Sequence, residues 1–217
     1  MRFAGVPGEE VGLDVGGVAV RLWRAAQLER FVDRDALLRA EAPAEPPYWM
    51  HLWPGALAAA RVVARAAEVR PGACVLELGC GLGLPALVAA RRGARVVASD
   101  WQRAPLEFVG RSAALNGCAL ACVQMDWSAP ALRGAFDVCV GADVGYDAGA
   151  EAALVAALAR LVGRRGVVWL ADSVNTARGS LAARLGAAGF AVEARQTREW
   201  EDGRPVWVRL LAARRRA

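Results

Sequence analysis

Hydrophobic and polar positions along this chain follow two different periods. Val11, Leu13 and Val15, then Val18, Val20 and Leu22, alternate with polar residues on either side of Gly16-Gly17. A period of two interrupted by a glycine pair predicts a β-hairpin over residues 10–24. Further on the spacing lengthens. Leu57, Ala60, Ala64 and Ala67 recur at helical intervals, Arg61, Arg65 and Glu68 share another face, and Pro71-Gly72 closes the segment, as in an amphipathic helix. Continuous apolar runs and helical patterns then take turns. A strand from Cys74 enters a glycine turn, followed by helix 84–92, strand 94–100, helix 104–115, strand 120–126, strand 136–144, helix 149–162, strand 166–172 and helix 180–188. Residues 190–199 and 206–212 alternate again around Glu201-Asp-Gly-Arg-Pro, a second hairpin.

Strands apolar on both faces must be covered on both faces. The expected fold is therefore α/β and Rossmann-like, a seven-stranded mostly parallel sheet with an antiparallel C-terminal hairpin and helices on both faces. A short N-terminal β-hairpin precedes it. Residues 33–40 predict a short helix capped by Asp33, and the prolines of 41–47 forbid regular structure. Residues 1–47 thus read as an appendage with its linker, and 48–217 as the main domain.

The glycine turn is the first candidate for chemistry. In Glu77-Leu78-Gly79-Cys80-Gly81-Leu82-Gly83-Leu84-Pro85 a strand becomes a helix. Its glycines allow positive φ, and its amides join a helix N-terminus in facing a polar ligand group. The dinucleotide pattern G-x-G-x-x-G is absent, because position 84 is Leu. A second acid, Asp100, ends the next strand, where one carboxylate can accept two hydrogen bonds from a vicinal diol. Asp126, Asp143 and Asp172 end later strands, so an acidic rim is expected beyond the carboxyl edge of the sheet, where ligands of open α/β sheets bind.

Charge narrows the partners less than its size suggests. The net charge is +5 with a pI near 9.4 over 217 residues. All 27 basic residues are arginine, and isoleucine is absent too, the mark of a GC-rich coding bias. The basic excess lies after residue 55, on helices and in Arg214-Arg215-Arg216, without the aromatic interleaving of a single-strand binding groove. A nucleic-acid partner stays open but is not favoured, and a merely solvated basic surface is the better reading. Cys74, Cys80, Cys118, Cys122 and Cys139 lack disulfide or zinc spacing, and no metal is expected. No apolar run reaches the roughly 18 residues of a membrane span, so the expected location is cytoplasmic, away from membranes.

The combination Glu-x-Gly-x-Gly-x-Gly with a strand ending in Asp100 resembles the S-adenosylmethionine site of class I, seven-stranded methyltransferases. Tyr48-Trp49-Met50-His51-Leu52-Trp53-Pro54 and Asp143-Val144-Gly145-Tyr146 sharpen this. Together they resemble the methyltransferase-like protein lysine methyltransferases, in particular the branch acting on the electron-transfer flavoprotein β-subunit and its bacterial relatives. The resemblance spans about residues 46–172. It implies S-adenosylmethionine as cofactor, a protein substrate, and N-methylation of a lysine. It places Trp53 against the cofactor, Glu77, Gly79, Cys80, Gly81, Gly83 and Leu84 around its methionine part, and Asp100 on the ribose. Asp126 would take the adenine amine, Trp101 and Trp127 would flank the adenine ring, and Ala142 would line the site. Asp143 and Tyr146 would form the catalytic opening, with Trp49 beside it. The chain departs from the family in Asp172-Ser-Val-Asn-Thr-Ala-Arg178.

Two further readings stay open at this level. A small amine or an RNA could be the methyl acceptor, although Asp143-Val-Gly-Tyr146 is not the N-P-P-Y motif of adenine and glutamine N-methyltransferases. A non-catalytic cofactor-binding protein could also carry this fold. His51, the only histidine, is either a general base or a ring packed among tryptophans. Trp23, Trp169, Trp200 and Trp207 sit in strand patterns and are assigned to the core.

Overall fold

The computed structural model describes residues 2–3, 5–26, 47–174 and 180–216. The helix expected at 33–40, the prolines of 41–46 and Asn175–Arg178 lie outside the described residues.

The predicted N-terminal hairpin forms from β2 (Val6–Val15) and β3 (Val18–Ala25), with the short β1 (Arg2–Phe3) beside β2. Gly16 and Gly17 both have positive φ, at 63° and 90°, the two-residue turn that matches strand twist. The hairpin packs on helix α3 (Arg103–Leu115). The Trp23 amide donates to Ser112 Oγ at 2.9 Å, and the Arg21 amide to Asn116 Oδ1 at 2.9 Å. Its inward Val15, Val20 and Leu22 enter the same buried cluster as Ala58–Ala60 and Leu84–Ala89.

The main sheet has seven strands in the order β6-β5-β4-β7-β8-β10-β9. They are β4 (Cys74–Leu78), β5 (Arg95–Asp100), β6 (Ala121–Gln124), β7 (Phe136–Ala142), β8 (Val162–Ser173), β9 (Phe190–Glu201) and β10 (Arg204–Arg215). All neighbours are parallel except β10, which runs antiparallel to both β8 and β9. The expected architecture is therefore the observed one. Successive strands leave β4 first toward β5 and β6, then toward β7 and β8. That reversal opens a crevice above β4.

Among the described residues five α-helices flank the sheet: α1 (Pro54–Arg65), α2 (Leu84–Arg91), α3, α4 (Glu151–Leu161) and α5 (Leu181–Ala187). Helix α1 stops at Arg65, before Ala67, because Ala66 already has extended backbone at ψ 134°. Its Ala58, Ala59, Ala60 and Val63 are buried. These small side chains let the helix lie close to the sheet and put its N-terminus at the crevice.

The C-terminal hairpin is longer than its alternation predicts. Asp202 and Gly203 both have positive φ and close it tightly. Register explains what happens at its tip. Val208 pairs with Ser173 at the end of β8, so Arg204–Trp207 and their β9 partners run past the sheet. Among the described residues no layer covers this overhang. Trp200 and Trp207, expected in the core, are exposed by 59% and 54%, whereas Trp169 is buried as expected.

Candidate active site

Strand β4 carries Glu77 to the foot of the glycine turn. Its carboxylate is 1% exposed and accepts the Ala86 amide of α2 at 2.8 Å. Burial pushes this carboxyl well above the usual carboxylate range, against the opposing pull of the Ala86 amide. Glu77 thus bolts the first turn of α2 to the strand beneath the loop, and does not line the crevice. Above it, Gly79 has φ 61° and Gly83 has φ 71°. Crowding is a second reason for glycine here. A Cβ on Gly79 would meet Val144 at 2.9 Å and Trp127 at 3.2 Å, and one on Gly83 would meet Val109 Cγ2 at 2.6 Å. Cys80 is buried, and burial pushes its thiol well up. It fills space in the loop.

Asp100 ends β5 facing the loop, 6% exposed. Oδ2 accepts the Gly81 amide at 3.1 Å and Oδ1 the Gln102 amide at 3.0 Å. Two backbone donors thus fix the carboxylate against the loop. Trp101, 51% exposed, and Trp127 line the crevice on this side. Asp126 does not. Its Oδ1 turns back to accept the Ser128 amide and hydroxyl, both at 2.7 Å, and the amide contact is the larger cause of its lowered pKa.

Across the crevice, β7 ends in Ala142 and then Asp143, a non-glycine residue at φ 49°. Asp143 Oδ1 accepts both the amide and the hydroxyl of Ser173 at 2.7 Å. Oδ2 lies over the first turn of α1, where a Cβ on Gly55 would come within 2.2 Å of it. A carboxylate held at a helix N-terminus is favoured by the unpaired amides there. Asp172 sits one layer deeper, 1% exposed, with Oδ1 accepting the Gly145 amide at 2.9 Å. Burial raises its pKa to about 6, the nearby Asp143 charge adding to the shift and the Gly145 amide and Arg209 opposing it.

Four rings gather at the mouth. Tyr48 and Tyr146 lie 5.6 Å apart, Tyr48 and Trp53 6.0 Å, and His51 and Trp53 4.7 Å between ring centres. Trp53 Nε1 donates to the Tyr48 carbonyl at 2.8 Å, which folds the segment before α1 into a compact lip. Trp49 also lines the crevice. Its ring packs on buried Phe108 at 5.3 Å, and Tyr48 occupies the place beside Tyr146 that the sequence suggested for Trp49. The whole crevice holds about 730 Å³ of atom-free space, open to solvent, and is lined by Trp53, Gly79–Leu84, Asp100, Trp101, Trp127, Ala142, Asp143 and Tyr146. Among the described residues no group of three His, Cys, Asp or Glu is placed to hold a metal ion.

The glycine turn and strand-end Asp100 lie within a segment, residues 75–166, that matches the methyltransferase domain family. These residues carry a methyltransferase domain. Among curated proteins it is similar to the electron transfer flavoprotein beta subunit lysine methyltransferase of Danio rerio. They are 48% identical over 59 residues, covering 27% of this chain and 23% of that protein. It is also 29% identical to the Homo sapiens histone-arginine methyltransferase METTL23 over 63% of this chain and 76% of the relative. The chain thus spans under a quarter of the zebrafish relative and about three quarters of the human one. In fold it is similar to the T. Thermophilus 16S rRNA N2 G1207 methyltransferase RsmC in complex with AdoMet and guanosine. There the TM-score is 0.66 at 20% identity, over 96% of this chain and 51% of that one.

The cofactor of this domain is S-adenosylmethionine, and the crevice fits it. Bare backbone at Gly79, Gly81 and Gly83 borders the crevice, and the Asp100 carboxylate faces that loop. Two contributors escaped the sequence. Tyr48 was one aromatic among several in its cluster. Glu201, on the tip of β9, reaches His51, Oε1 to Nε2 at 2.7 Å, with both side chains about one third exposed. Nothing local marks a contact between residues 150 positions apart.

Proposed function

We propose that the protein is an S-adenosylmethionine-dependent N-methyltransferase whose acceptor is a lysine side chain of another protein. One observation carries this reading: the rings of Tyr48, Trp53 and Tyr146 close around the mouth beside the carboxylate of Asp143. Aromatic faces with an adjacent carboxylate suit an alkylammonium, by cation–π attraction and direct charge pairing. The matched segment of the zebrafish lysine methyltransferase supports the same acceptor. Five free thiols suit a reducing compartment such as the cytosol.

In this reading Asp100 holds the ribose hydroxyls, Trp101 and Trp127 the adenine, and the Gly79–Gly83 backbone the methionine end. Trp53 and Ala142 close the remaining sides. Glu77 acts from below, keeping the loop and α2 in register, and Asp126 shapes the turn that presents Trp127. The bound cofactor supplies an electrophilic methyl group. The chain must present an uncharged nitrogen in line with it and keep water away, and alignment of this kind supplies much of the rate. Asp143, fixed by two bonds from Ser173, receives the ammonium and orients it, the amine releases one proton to solvent before the methyl moves, and the rings of Tyr48 and Tyr146 hold its alkyl arm.

The test uses methyl-labelled cofactor, the purified protein and cell lysate freed of endogenous cofactor. After acid hydrolysis the label should run as methyllysine, and Tyr146→Ala should reduce it at unchanged cofactor affinity. The chain contains no lysine, so its own side chains cannot contribute methyllysine. Label found in methylarginine or in RNA would overturn the lysine assignment.

A further inference from the structure

The overhanging tip of the β9–β10 hairpin has a surface that neither the sheet nor the crevice uses. Trp200 pairs with Pro205, and Trp207 with Arg198, so all four side chains stand on one face. Val174, 43% exposed, extends this face through its amide, which donates to the Trp207 carbonyl at 2.9 Å. At more than half exposure each, the two indoles alone present on the order of 250 Å² of aromatic surface. Tryptophan is among the side chains most enriched at binding hot spots.

Charge is sorted between the two faces of the tip. Glu199 turns to the opposite face, is 4% exposed and bonds Arg61 at 3.0 Å, and Glu201 bonds His51. The aromatic face keeps Arg198, whose guanidinium lies 5.8 Å from the Trp200 ring centre. The result is an apolar, cationic surface from which the neighbouring acids of β9 have been withdrawn. It is joined to the mouth of the crevice at two points: Glu201 holds His51, and Ser173, which precedes Val174, holds Asp143.

We propose that this face is the docking surface for the protein acceptor. It would receive an apolar side chain flanked by carboxylates on the substrate surface near the lysine that enters the mouth. The inference rests on the lysine-methyltransferase reading. Tryptophan supplies contact area at low conformational cost, and arginine stacked on it is positioned to pair with a carboxylate. Docking beside the mouth raises the local concentration of the target amine without changing the transfer step, so removing it should act on KM and leave kcat unchanged.

The experiment compares wild type, the double variant Trp200→Ala/Trp207→Ala, and Arg198→Glu. Three measurements are made: initial rates of methyllysine formation on cofactor-depleted lysate across a dilution series, rates on N-acetyl-lysine methylamide, and affinity for S-adenosylhomocysteine. The double variant should lose roughly tenfold to hundredfold in rate at limiting lysate, the range of a hot-spot truncation, and recover as lysate is concentrated. Rates on the small amide and cofactor affinity should be unchanged. Arg198→Glu should lose rate on lysate proteins, and added salt should slow wild type in the same way. Equal rates on lysate for wild type and double variant would overturn the docking surface, as would parallel losses on lysate and small amide. Failure of wild type to form methyllysine on lysate proteins would instead overturn the proposed function, and the docking surface with it.

Discussion

Asp172 offers the sharpest test of how the layer beneath the mouth is held. Its carboxyl is 1% exposed, and burial raises its pKa from 3.8 to about 6. A carboxyl whose pKa is higher in the folded chain than in the unfolded one binds its proton more tightly when folded. Its contribution to stability is therefore complete below about pH 4 and is lost as pH rises through 6. A shift of this size corresponds to about 3 kcal/mol. Asp172→Asn removes the ionisation and keeps a carbonyl to accept the Gly145 amide. Any fixed penalty or gain from the new amide group is independent of pH and cancels in the comparison. Urea unfolding, followed by tryptophan fluorescence at about pH 5 and about pH 8, should show the variant gaining on wild type by about 1.5 kcal/mol between the two, since roughly half the loss falls in that interval. A difference between the two proteins that stays constant across these pH values would refute the reasoning. It would mean that Asp172 is solvated or paired with Arg209, its cross-strand partner on β10, strongly enough to ionise normally.

Two other substitutions test the cofactor side. Gly83→Ala places a methyl group 2.6 Å from Val109 Cγ2 at φ 71°; left-handed backbone and overpacking together should cost about 2–4 kcal/mol, seen as a fall in Tm of roughly 5–12 °C. Asp100→Ala removes the acceptor for the diol and for the Gly81 and Gln102 amides. Affinity for S-adenosylhomocysteine by calorimetry should fall by about a hundredfold, while a Tm close to wild type would show that the fold persists.

What could be read in the sequence was what local rules decide. The order of strands and helices follows from periodicity, the hairpin at Gly16-Gly17 from turn chemistry, and the glycine loop with Asp100 from spacing. Side-chain direction at the strand ends follows from none of these. Glu77, Asp126 and Asp143 are each a carboxylate closing a strand, yet the first is drawn under α2 by Ala86, the second back to Ser128 and the third to Ser173. The partners for Asp143 and Glu77 come from packing of elements, which a strand pattern does not encode. Trp200 and Trp207 follow a buried-strand alternation but lie where β10 outruns β8, and that depends on register with a strand more than thirty residues earlier.

The same distinction separates the two halves of the crevice. In the proposed assignment residues 77–101, one β-α-β unit, build most of the cofactor side, so its chemistry is compact in sequence and recognisable from a short motif. The mouth draws Tyr48, His51 and Trp53 from the segment before α1, Asp143 and Tyr146 from the loop after β7, Ser173 from β8 and Glu201 from the hairpin tip. Four segments must meet before an acceptor site exists, and each can change without disturbing the glycine loop. In the proposed reading, such a chain keeps its cofactor while its acceptor is set by the mouth and by the surfaces tied to it. The Trp200–Trp207 face is joined to that mouth through Glu201 and Ser173, which is why the choice of substrate should be sought there and not in the glycine motif.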